Sequence, residues 1–370
     1  MSPYRILRVV PDLQIGGVQR MMQRSIQAFL DRGHHCAVCC IGRRPGQMTR
    51  NFKRAGITVH SIPFRMRLDP LGLWRLRHLV RRGRYDVVHA HMYAASMAVN
   101  YALWGVQGVG VLNNYHSIRP VHGESQARRL LKTAHLPHGL IAVSEAVKLA
   151  LVELGLPDDI LHVIHNGVDL PDEPVPLPER QSEAPLELLW AGRFVKQKRL
   201  DFYIELMHAC RRAGLNVRLT LAGDGPTRQA LQRRIAKEGL EHMIHLPGWI
   251  REIREHLRTI DLYVCSSVRE GFSNTLLEAA TVGRGMILSD IAPHREFLGH
   301  SNAGLIPGDD PECWRRALEE LGGDRERLAS MGREAFERVK QYSLPNHGRL
   351  LLEQYEQAVR LASKNRGEPT

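Results

Sequence analysis

Two acidic side chains separated by seven residues form the strongest chemical pattern in this sequence. Glu270 and Glu278 follow the apolar run 262–266, which we predict to be a strand, and the second lies in a helix predicted from about 274 to 282. The free N–H groups at such a helix start favour an anion. The carboxylates would then accept hydrogen bonds from hydroxyls on either side of a diphosphate, as a ribose and a hexose provide. The alternative is that Glu270 is solvated and Glu278 only satisfies the helix-start donors.

Two cations form the second pattern. Arg193 and Lys198 follow another predicted strand, 186–191. They could converge on one diphosphate, because arginine binds as a bidentate fork and lysine as a point charge. The alternative is a solvated basic turn that also contains Lys196 and Arg199.

These residues follow strands in two successive runs of strand–helix alternation, which predicts parallel, doubly wound sheets. In the first run, Gly16 and Gly17 join a strand to an amphipathic helix, a pattern that fits a ligand loop or a plain turn. The predicted strands are 5–10, 36–41, 57–62, 86–90, 110–114, 139–143, 186–191, 217–222, 244–246 and 262–266, and the predicted helices include 200–213, 227–238 and 344–362.

The sequence predicts an α/β protein with two Rossmann-like lobes that face a central cleft. The first domain covers 1–170 and is followed by a proline-rich linker at 171–185. The second domain covers 186–343, and 344–370 forms a packing helix and a tail. Parallel sheets bind ligands beyond the carboxyl ends of their strands, so the chemistry should lie in the loops that follow strands.

Charge is unevenly distributed along the 370 residues, whose formal net charge is +12. Residues 1–172 carry 22 basic against 11 acidic side chains, whereas the remainder carries 29 against 28. A cationic half suits nucleic acid, an anionic membrane or a phosphorylated substrate. The sequence shows neither a membrane-length apolar run nor a signal peptide, so we expect a cytoplasmic protein.

The segment 65–84 concentrates this excess, with seven arginines against one acid among interleaved leucines and a tryptophan. A basic amphipathic helix is typical of attachment to an anionic membrane, here its inner face. The alternative is a helix that packs on its own sheet and leaves its arginines solvated. The candidates for acceptor or membrane contact are Arg75, Arg77, Arg81, Arg82 and, at a strand end, His91.

Neither the cysteines nor the histidines form a recognisable metal-ligand set. Cys36, Cys39 and Cys40 have one C-x-x-C spacing without a second, and they favour a buried strand. His89 and His91 share one face of a strand end, but no zinc motif accompanies them. We therefore expect no metal, and His91 either touches an acceptor or is a satisfied strand-end residue.

Taken together, these motifs resemble the retaining GT-B glycosyltransferases of family 4 (group 1) over almost the whole chain. The most specific match is the E-x7-E pattern of Glu270 and Glu278. The supporting matches are Gly16-Gly17-Val-Gln, Asp86-Val-Val-His-Ala-His91, Ala142-Val-Ser-Glu145, Val163-Ile-His-Asn-Gly-Val-Asp169, Gly192-Arg193 with Lys198, and Leu221-Ala-Gly-Asp-Gly-Pro226. One departure is Arg199, which stands where the family commonly has glycine.

The resemblance implies catalytic roles for Arg193 and Lys198 at the donor diphosphate, for Glu270 at the transferred sugar and for His116 as a sugar contact. Glu278 would bind the ribose. The other donor-binding positions implied are Gly16, Gly17, Gly192, Gly223, Gly248, Gly271, Phe272, Ser273 and Asn274. Retention would proceed by same-face attack, with the departing phosphate oxygen taking the acceptor proton.

The implied activity moves a sugar from a UDP- or GDP-linked donor to a glycan or lipid-linked saccharide, in cell-surface polysaccharide or lipopolysaccharide biosynthesis. The nucleotide-sugar is a co-substrate, and no cofactor is expected. Two alternatives stay open at this point. A basic nucleic-acid-binding protein would expose aromatics along its basic groove, and a GT-B nucleotide-sugar epimerase would need no second substrate.

Overall fold

The computed structural model describes residues 3–14, 16–43, 46–66, 69–119, 121, 123–181 and 183–364. The chain forms two compact units, one comprising residues 1–167 and 344–370 and the other residues 168–343. The last helix therefore belongs to the first unit, although the chain reaches it only after completing the second.

Strands and helices alternate through the described part of the first unit. Its strands are β1 (Arg5–Val10), β2 (His35–Cys40), β3 (Thr58–Ser61), β4 (Val87–His91), β5 (Gly110–Tyr115), β6 (Gly139–Ala142) and β7 (Leu161–Val163). Its helices are α1 (Gly17–Leu30), α2 (Met48–Arg54), α3 (Pro70–Arg82), α4 (Met92–Ala102), α5 (Glu124–Lys132), α6 (Glu145–Glu153) and, at the end of the chain, α14 (Leu344–Lys364).

The first sheet is parallel, in the order β3-β2-β1-β4-β5-β6-β7. Side chains alternate between its two faces, so Val38 packs with Tyr355 of α14 on one face, while Cys39 packs with Leu76 of α3 on the other. The cysteines of β2 are buried and reduced, which confirms the core interpretation. Burial raises the pKa of the Cys36 thiol to about 11.

The second unit repeats the alternation. Its described strands are β8 (Leu186–Arg193), β9 (Val217–Asp224), β10 (Ile244–Gly248), β11 (Leu262–Cys265), β12 (Gly285–Leu288) and β13 (Gly304–Leu305). Its described helices are α7 (Asp201–Arg212), α8 (Arg228–Lys237), α9 (Ile253–Arg258), α10 (Asn274–Thr281), α11 (Ala292–Leu298), α12 (Pro311–Gly322) and α13 (Arg325–Val339). The sheet is again parallel, in the order β10-β9-β8-β11-β12-β13.

Strand order reverses direction once in each sheet, between β1 and β4 in the first and between β8 and β11 in the second. The helices that follow the strands on either side of such a point leave in opposite directions and open a crevice at the carboxyl ends. The loops that begin at Val10 and His91 line this crevice in the first sheet. The loops that begin at Arg193 and Cys265 line it in the second sheet.

The proline-rich segment expected as a linker is held against the second unit. Arg284 is fully buried before β12, and its guanidinium donates to the carbonyls of Val175 (2.9 Å) and Pro176 (3.1 Å). The same guanidinium donates to the carbonyls of Leu257 and Arg258 at the end of α9, both at 2.9 Å. Burial lowers the pKa of Arg284 to about 10. Its side chain thus joins the segment to the body of the unit.

Replacing Arg284 with alanine should destabilise the second unit by about 3 kcal/mol, because the carbonyls of Val175, Pro176, Leu257 and Arg258 lose a charged donor. Urea unfolding followed by circular dichroism, together with protease cleavage between 171 and 180, measures the effect. Exposed Arg333, changed to alanine, is the matched control. Equal stability and equal protease resistance of the two variants would contradict this role for Arg284.

Candidate active site

Two loops meet at the switch point of the second sheet. The first is the 3₁₀ turn at 196–198 after β8, and the second follows β11. Val268 N–H donates to the carbonyl of Gln197 (2.9 Å), and Ser266 Oγ donates to the carbonyl of Lys198 (3.2 Å). The second loop is also held by helix α7, because Ser266 N–H donates to the hydroxyl of the buried Tyr203 in that helix (3.0 Å). The two loops therefore form one backbone platform.

An ion pair between Lys198 and Glu270 lies on this platform. Lys198 Nζ donates to Glu270 Oε1, which also accepts from Ser267 Oγ at 2.7 Å. The side chains are only 16% and 10% exposed, so neither residue is the solvated group of the alternative interpretations. Within the described residues, the hydrogen bonds to this carboxylate end on Oε1, which leaves Oε2 for a ligand hydroxyl.

Arg193 lies at the same edge of the sheet. It is the last residue of β8 and pairs in register with Asp224 of β9. Its side chain is exposed and makes no hydrogen bond or ion pair within the part of the chain described here. The Arg193 guanidinium therefore lies at the sheet edge beside these loops, and its N–H groups are available to a ligand.

Helix α10 begins directly after this loop. Ser273 is its N-cap and accepts from Leu276 N–H at 3.3 Å. Glu278 lies in the second turn of α10 and is 8% exposed. The ring of Phe272 packs on Tyr342 with 5.1 Å between centroids, so this predicted donor contact can offer only its backbone.

The other predicted donor-binding glycines of this unit lie at strand ends. Gly223 has φ +142°, and a Cβ there would come within 1.9 Å of the carbonyl oxygen of Gly192. Close approach of β8 and β9 therefore explains this glycine on structural grounds alone. Gly248 ends β10, Gly271 is buried before α10, and Asn274 is the first residue of that helix.

In the first unit, Gly16 is the extended N-cap of α1 and Gly17 is its first residue, whereas Ile15 lies outside the described residues. His116 follows β5, and its Nε2 lies 3.1 Å from Nδ1 of His91 at the end of β4. Burial lowers the pKa of His116 to about 3, so the ring is neutral at ordinary pH. His91 is fully buried, which places it inside the unit rather than at a surface where it would meet an acceptor.

The basic segment forms α3, whose N-cap is Asp69. Arg75, Arg81 and Arg82 are exposed, as is Trp74 (61%). Arg77 differs from them, because its Nη1 donates to the carbonyl of Trp104 (2.9 Å) and so fastens α3 to the end of α4. Arg67 lies outside the described residues.

A cavity of about 640 Å³ opens beside α3 at the amino-terminal edge of the sheet, and Arg5, Arg75 and Arg82 line it. The carboxyl-terminal edge carries His91 and His116, so the cavity is separate from those residues.

Among the described residues, no helix is long and apolar enough to span a membrane. A group of three or more metal-ligating side chains is likewise not found in the described ranges.

Arg199 explains a departure noted in the sequence. It follows Lys198 with φ +49° and ψ 46°, the left-handed conformation that favours the glycine found there in the resembling family. Its side chain compensates for the strain, because Nη1 donates to Asp309 Oδ1 (2.9 Å) and the guanidinium lies 4.4 Å from the ring centroid of Phe202. Sequence reasoning missed this role, as it missed Ser266 and Ser267, although two hydroxyl residues directly after an apolar strand were a usable signal.

The comparisons with known proteins agree with this fold. The family model for Glycosyltransferase Family 4 matches residues 15–171, and the model for Glycosyl transferases group 1 matches residues 185–324. D-inositol 3-phosphate glycosyltransferase of Paenarthrobacter aurescens is 24% identical over 93% of each chain. The lipopolysaccharide core biosynthesis glycosyltransferase LpsE of Rhizobium meliloti is 25% identical over 89% of this chain and 92% of its own.

Among solved structures, HepE of Anabaena in complex with UDP-glucose superposes with a TM-score of 0.83 at 17% identity, over 95% of this chain and 99% of HepE. Two parallel-sheet lobes with this likeness define the GT-B fold, and the protein is a glycosyltransferase. The chain belongs to family 4 of these enzymes, group 1, as its sequence motifs implied.

The left-handed conformation of Arg199 gives a paired stability prediction. Arg199→Ala loses the Asp309 and Phe202 contacts and keeps the backbone strain, whereas Arg199→Gly loses the same contacts and relieves the strain. The glycine variant should therefore be more stable than the alanine variant by about 1 kcal/mol. Thermal unfolding of both variants measures the difference. An alanine variant as stable as the glycine variant would show that the backbone is not strained here.

Proposed function

We propose that the protein is a retaining, metal-independent glycosyltransferase that uses a UDP- or GDP-linked sugar. The observation that carries this proposal is the shielded Lys198–Glu270 ion pair at the switch point of the second sheet, with the uncommitted Arg193 at the same edge. A cation held beside a carboxylate suits a ligand that presents phosphate next to hydroxyl groups.

Arg193 and Lys198 neutralise the diphosphate as it leaves. Charge accumulates on that group while the glycosyl–phosphate bond breaks, and preorganised donors stabilise such charge most where they need no rearrangement. The backbone N–H groups at the start of α10 add to this field. Glu270 uses Oε2 for a hydroxyl of the transferred sugar, and Glu278 takes the ribose hydroxyls.

The ion pair also favours retention by attack on the same face. Glu270 is bound by Lys198 and Ser267, and both interactions make its carboxylate a weak nucleophile. The acceptor oxygen therefore forms the new bond to the anomeric carbon as the bond to phosphate breaks. Its proton passes to the departing phosphate oxygen, so the step needs no catalytic carboxylate pair of the kind used by hydrolases.

The acceptor is a glycan or lipid-linked saccharide in lipopolysaccharide or other cell-surface polysaccharide synthesis. The similarity to LpsE, a glycosyltransferase of lipopolysaccharide core biosynthesis, supports this assignment. The exposed Trp74 and the arginines of α3 support attachment to the inner face of an anionic membrane, where a lipid-linked acceptor presents its sugar. Nucleic acid is not a partner in this proposal.

A nucleotide-release screen across UDP-, GDP-, dTDP- and ADP-sugars tests the donor assignment. We expect release with a UDP- or GDP-sugar, with retention of anomeric configuration and no loss of rate in EDTA. Glu270→Ala, Arg193→Ala and Lys198→Ala should each lower turnover about 100-fold or more while leaving the fold intact. The matched control is Lys196→Ala, since Lys196 is exposed in the same turn.

Three results would contradict the donor proposal. One is near-normal turnover in the Arg193/Lys198 double variant. Another is inversion of the product. The third is interconversion of the nucleotide-sugar without transfer, which would indicate the epimerase instead.

The membrane proposal has its own test. Sedimentation with vesicles containing phosphatidylglycerol should capture the protein at low salt and lose it as salt rises. Arg75, Arg81 and Arg82 changed together to glutamate should abolish this binding. The control changes the exposed Arg233, Arg316 and Arg333 of the second unit to glutamate. Equal loss in both triple variants would show that net charge, rather than α3, governs the attraction.

A further inference from the structure

A row of polar side chains runs through the interior of the first unit and ends at His116. Arg8 of β1 pairs in register with His89 of β4, so the two lie side by side on the sheet. His91 is two residues further along β4 and therefore points to the same face. Tyr355 of α14 packs over this face. Arg8, His89 and His91 are each 0% exposed.

Hydrogen bonds and ring stacking connect the row. Arg8 Nη2 donates to the hydroxyl of Tyr355 (3.2 Å), whose oxygen lies 2.9 Å from His89 Nδ1. The hydroxyl accepts from Arg8, and its own proton is available to His89 Nδ1; in that arrangement His89 carries its proton on Nε2. The His89 and His91 rings stack with 4.3 Å between centroids, and His91 Nδ1 meets His116 Nε2 at 3.1 Å.

Burial, with a further contribution from the charge of Arg8, keeps His89 and His91 neutral. No carboxylate of the described residues forms an ion pair with the Arg8 guanidinium, which donates also to Ser25 Oγ (2.9 Å). Burial, and after it the nearby Arg8 charge, hold the pKa of His89 well below its usual range. Burial together with the His89, His116, Arg8 and His347 charges does the same for His91. His347 on α14 also faces the row, and burial lowers its pKa to about 4.

A neutral pair of imidazoles leaves one proton between His91 Nδ1 and His116 Nε2. Whichever ring donates, the other must accept, so the tautomers of His91 and His116 are coupled. The remaining polar atom of His116, Nδ1, is buried and has no partner among the described residues. Met92, directly after His91, has φ +66°, a strained conformation of the kind that persists where the surroundings enforce it.

We propose that His91 is a positioning residue for the glycosyl-transfer site, which fixes the ring and tautomer of His116 so that Nδ1 meets one hydroxyl of the bound sugar. Tyr355 and Arg8 hold His91 in place through His89. This inference rests on the proposed sugar contact of His116. His91 itself touches no substrate in this account.

Two substitutions at His91 separate positioning from packing. Asparagine places a polar atom where Nδ1 of the imidazole lies, whereas phenylalanine keeps an aromatic ring without nitrogen. We expect His91→Phe to lower kcat about tenfold or more with KM for the donor within about threefold, because misorientation acts on the chemical step. His91→Asn should retain most of the turnover. Equal losses in the two variants would overturn the proposal.

Nitrogen NMR of ¹⁵N-histidine-labelled protein gives a readout that is independent of activity, with the His116 signal assigned from a His116→Gln sample. The wild-type protein should show His116 as one neutral tautomer from pH 5 to pH 8. His91→Phe should populate both tautomers of His116. An equal mixture of tautomers in the wild-type protein would overturn the proposal even if His91→Phe does not fold.

The same measurements distinguish this inference from the proposed function. A wild-type protein that transfers no sugar but shows a single His116 tautomer would contradict the proposed function and leave the geometric part intact. A wild-type protein that turns over normally with His116 in two tautomers would contradict the positioning role alone.

Discussion

The ion pair between Lys198 and Glu270 is the interaction on which the rest of the site depends. Two opposite charges that are largely removed from water are tolerable only as a pair, since either one alone carries a desolvation penalty of several kcal/mol. The pair therefore requires the loops after β8 and β11 to stay in contact. The hydrogen bonds of Ser266 and Val268 hold the same two loops together, and the left-handed backbone of Arg199 follows directly after Lys198.

The sheet makes this contact possible. β8 and β11 are neighbours although 68 residues lie between Arg193, the last residue of β8, and Leu262, the first of β11, and the strand order reverses between them. Their carboxyl ends thus bring together residues that are distant in sequence, at the kind of switch point where parallel sheets bind ligands. Helix α10 then begins directly beyond Glu270, so the loop carries both a carboxylate and free backbone donors.

Much of this arrangement could be predicted from the sequence, and the reasons are local. The strand at 5–10 and the helix start at 274 coincide with the structure, because apolar runs and a serine N-cap are local signals. β7, β12 and β13 were missed, since strands of two to four residues carry little periodicity. The partnership of Lys198 with Glu270 was also missed, because strand order is a property of the whole chain.

The contacts of the buried polar row in the first unit could not be predicted from the sequence. Arg8 interrupts an apolar strand, a signal that a buried polar partner exists, but Tyr355 lies 347 residues later in the chain. Nor could charge patterning separate Arg77, which binds backbone carbonyls, from the exposed arginines on the same helix. In both cases the sequence identifies an arginine, but tertiary packing determines which groups that arginine contacts.

Calorimetric titration of the protein with UDP and with GDP tests the central claim most directly, because it measures binding of the diphosphate without the chemical step. At least one of the two nucleotides should bind the wild-type protein. Lys198→Met should weaken that binding about tenfold or more, while Lys196→Met leaves it within about threefold. Unchanged affinity in folded Lys198→Met protein would contradict the account.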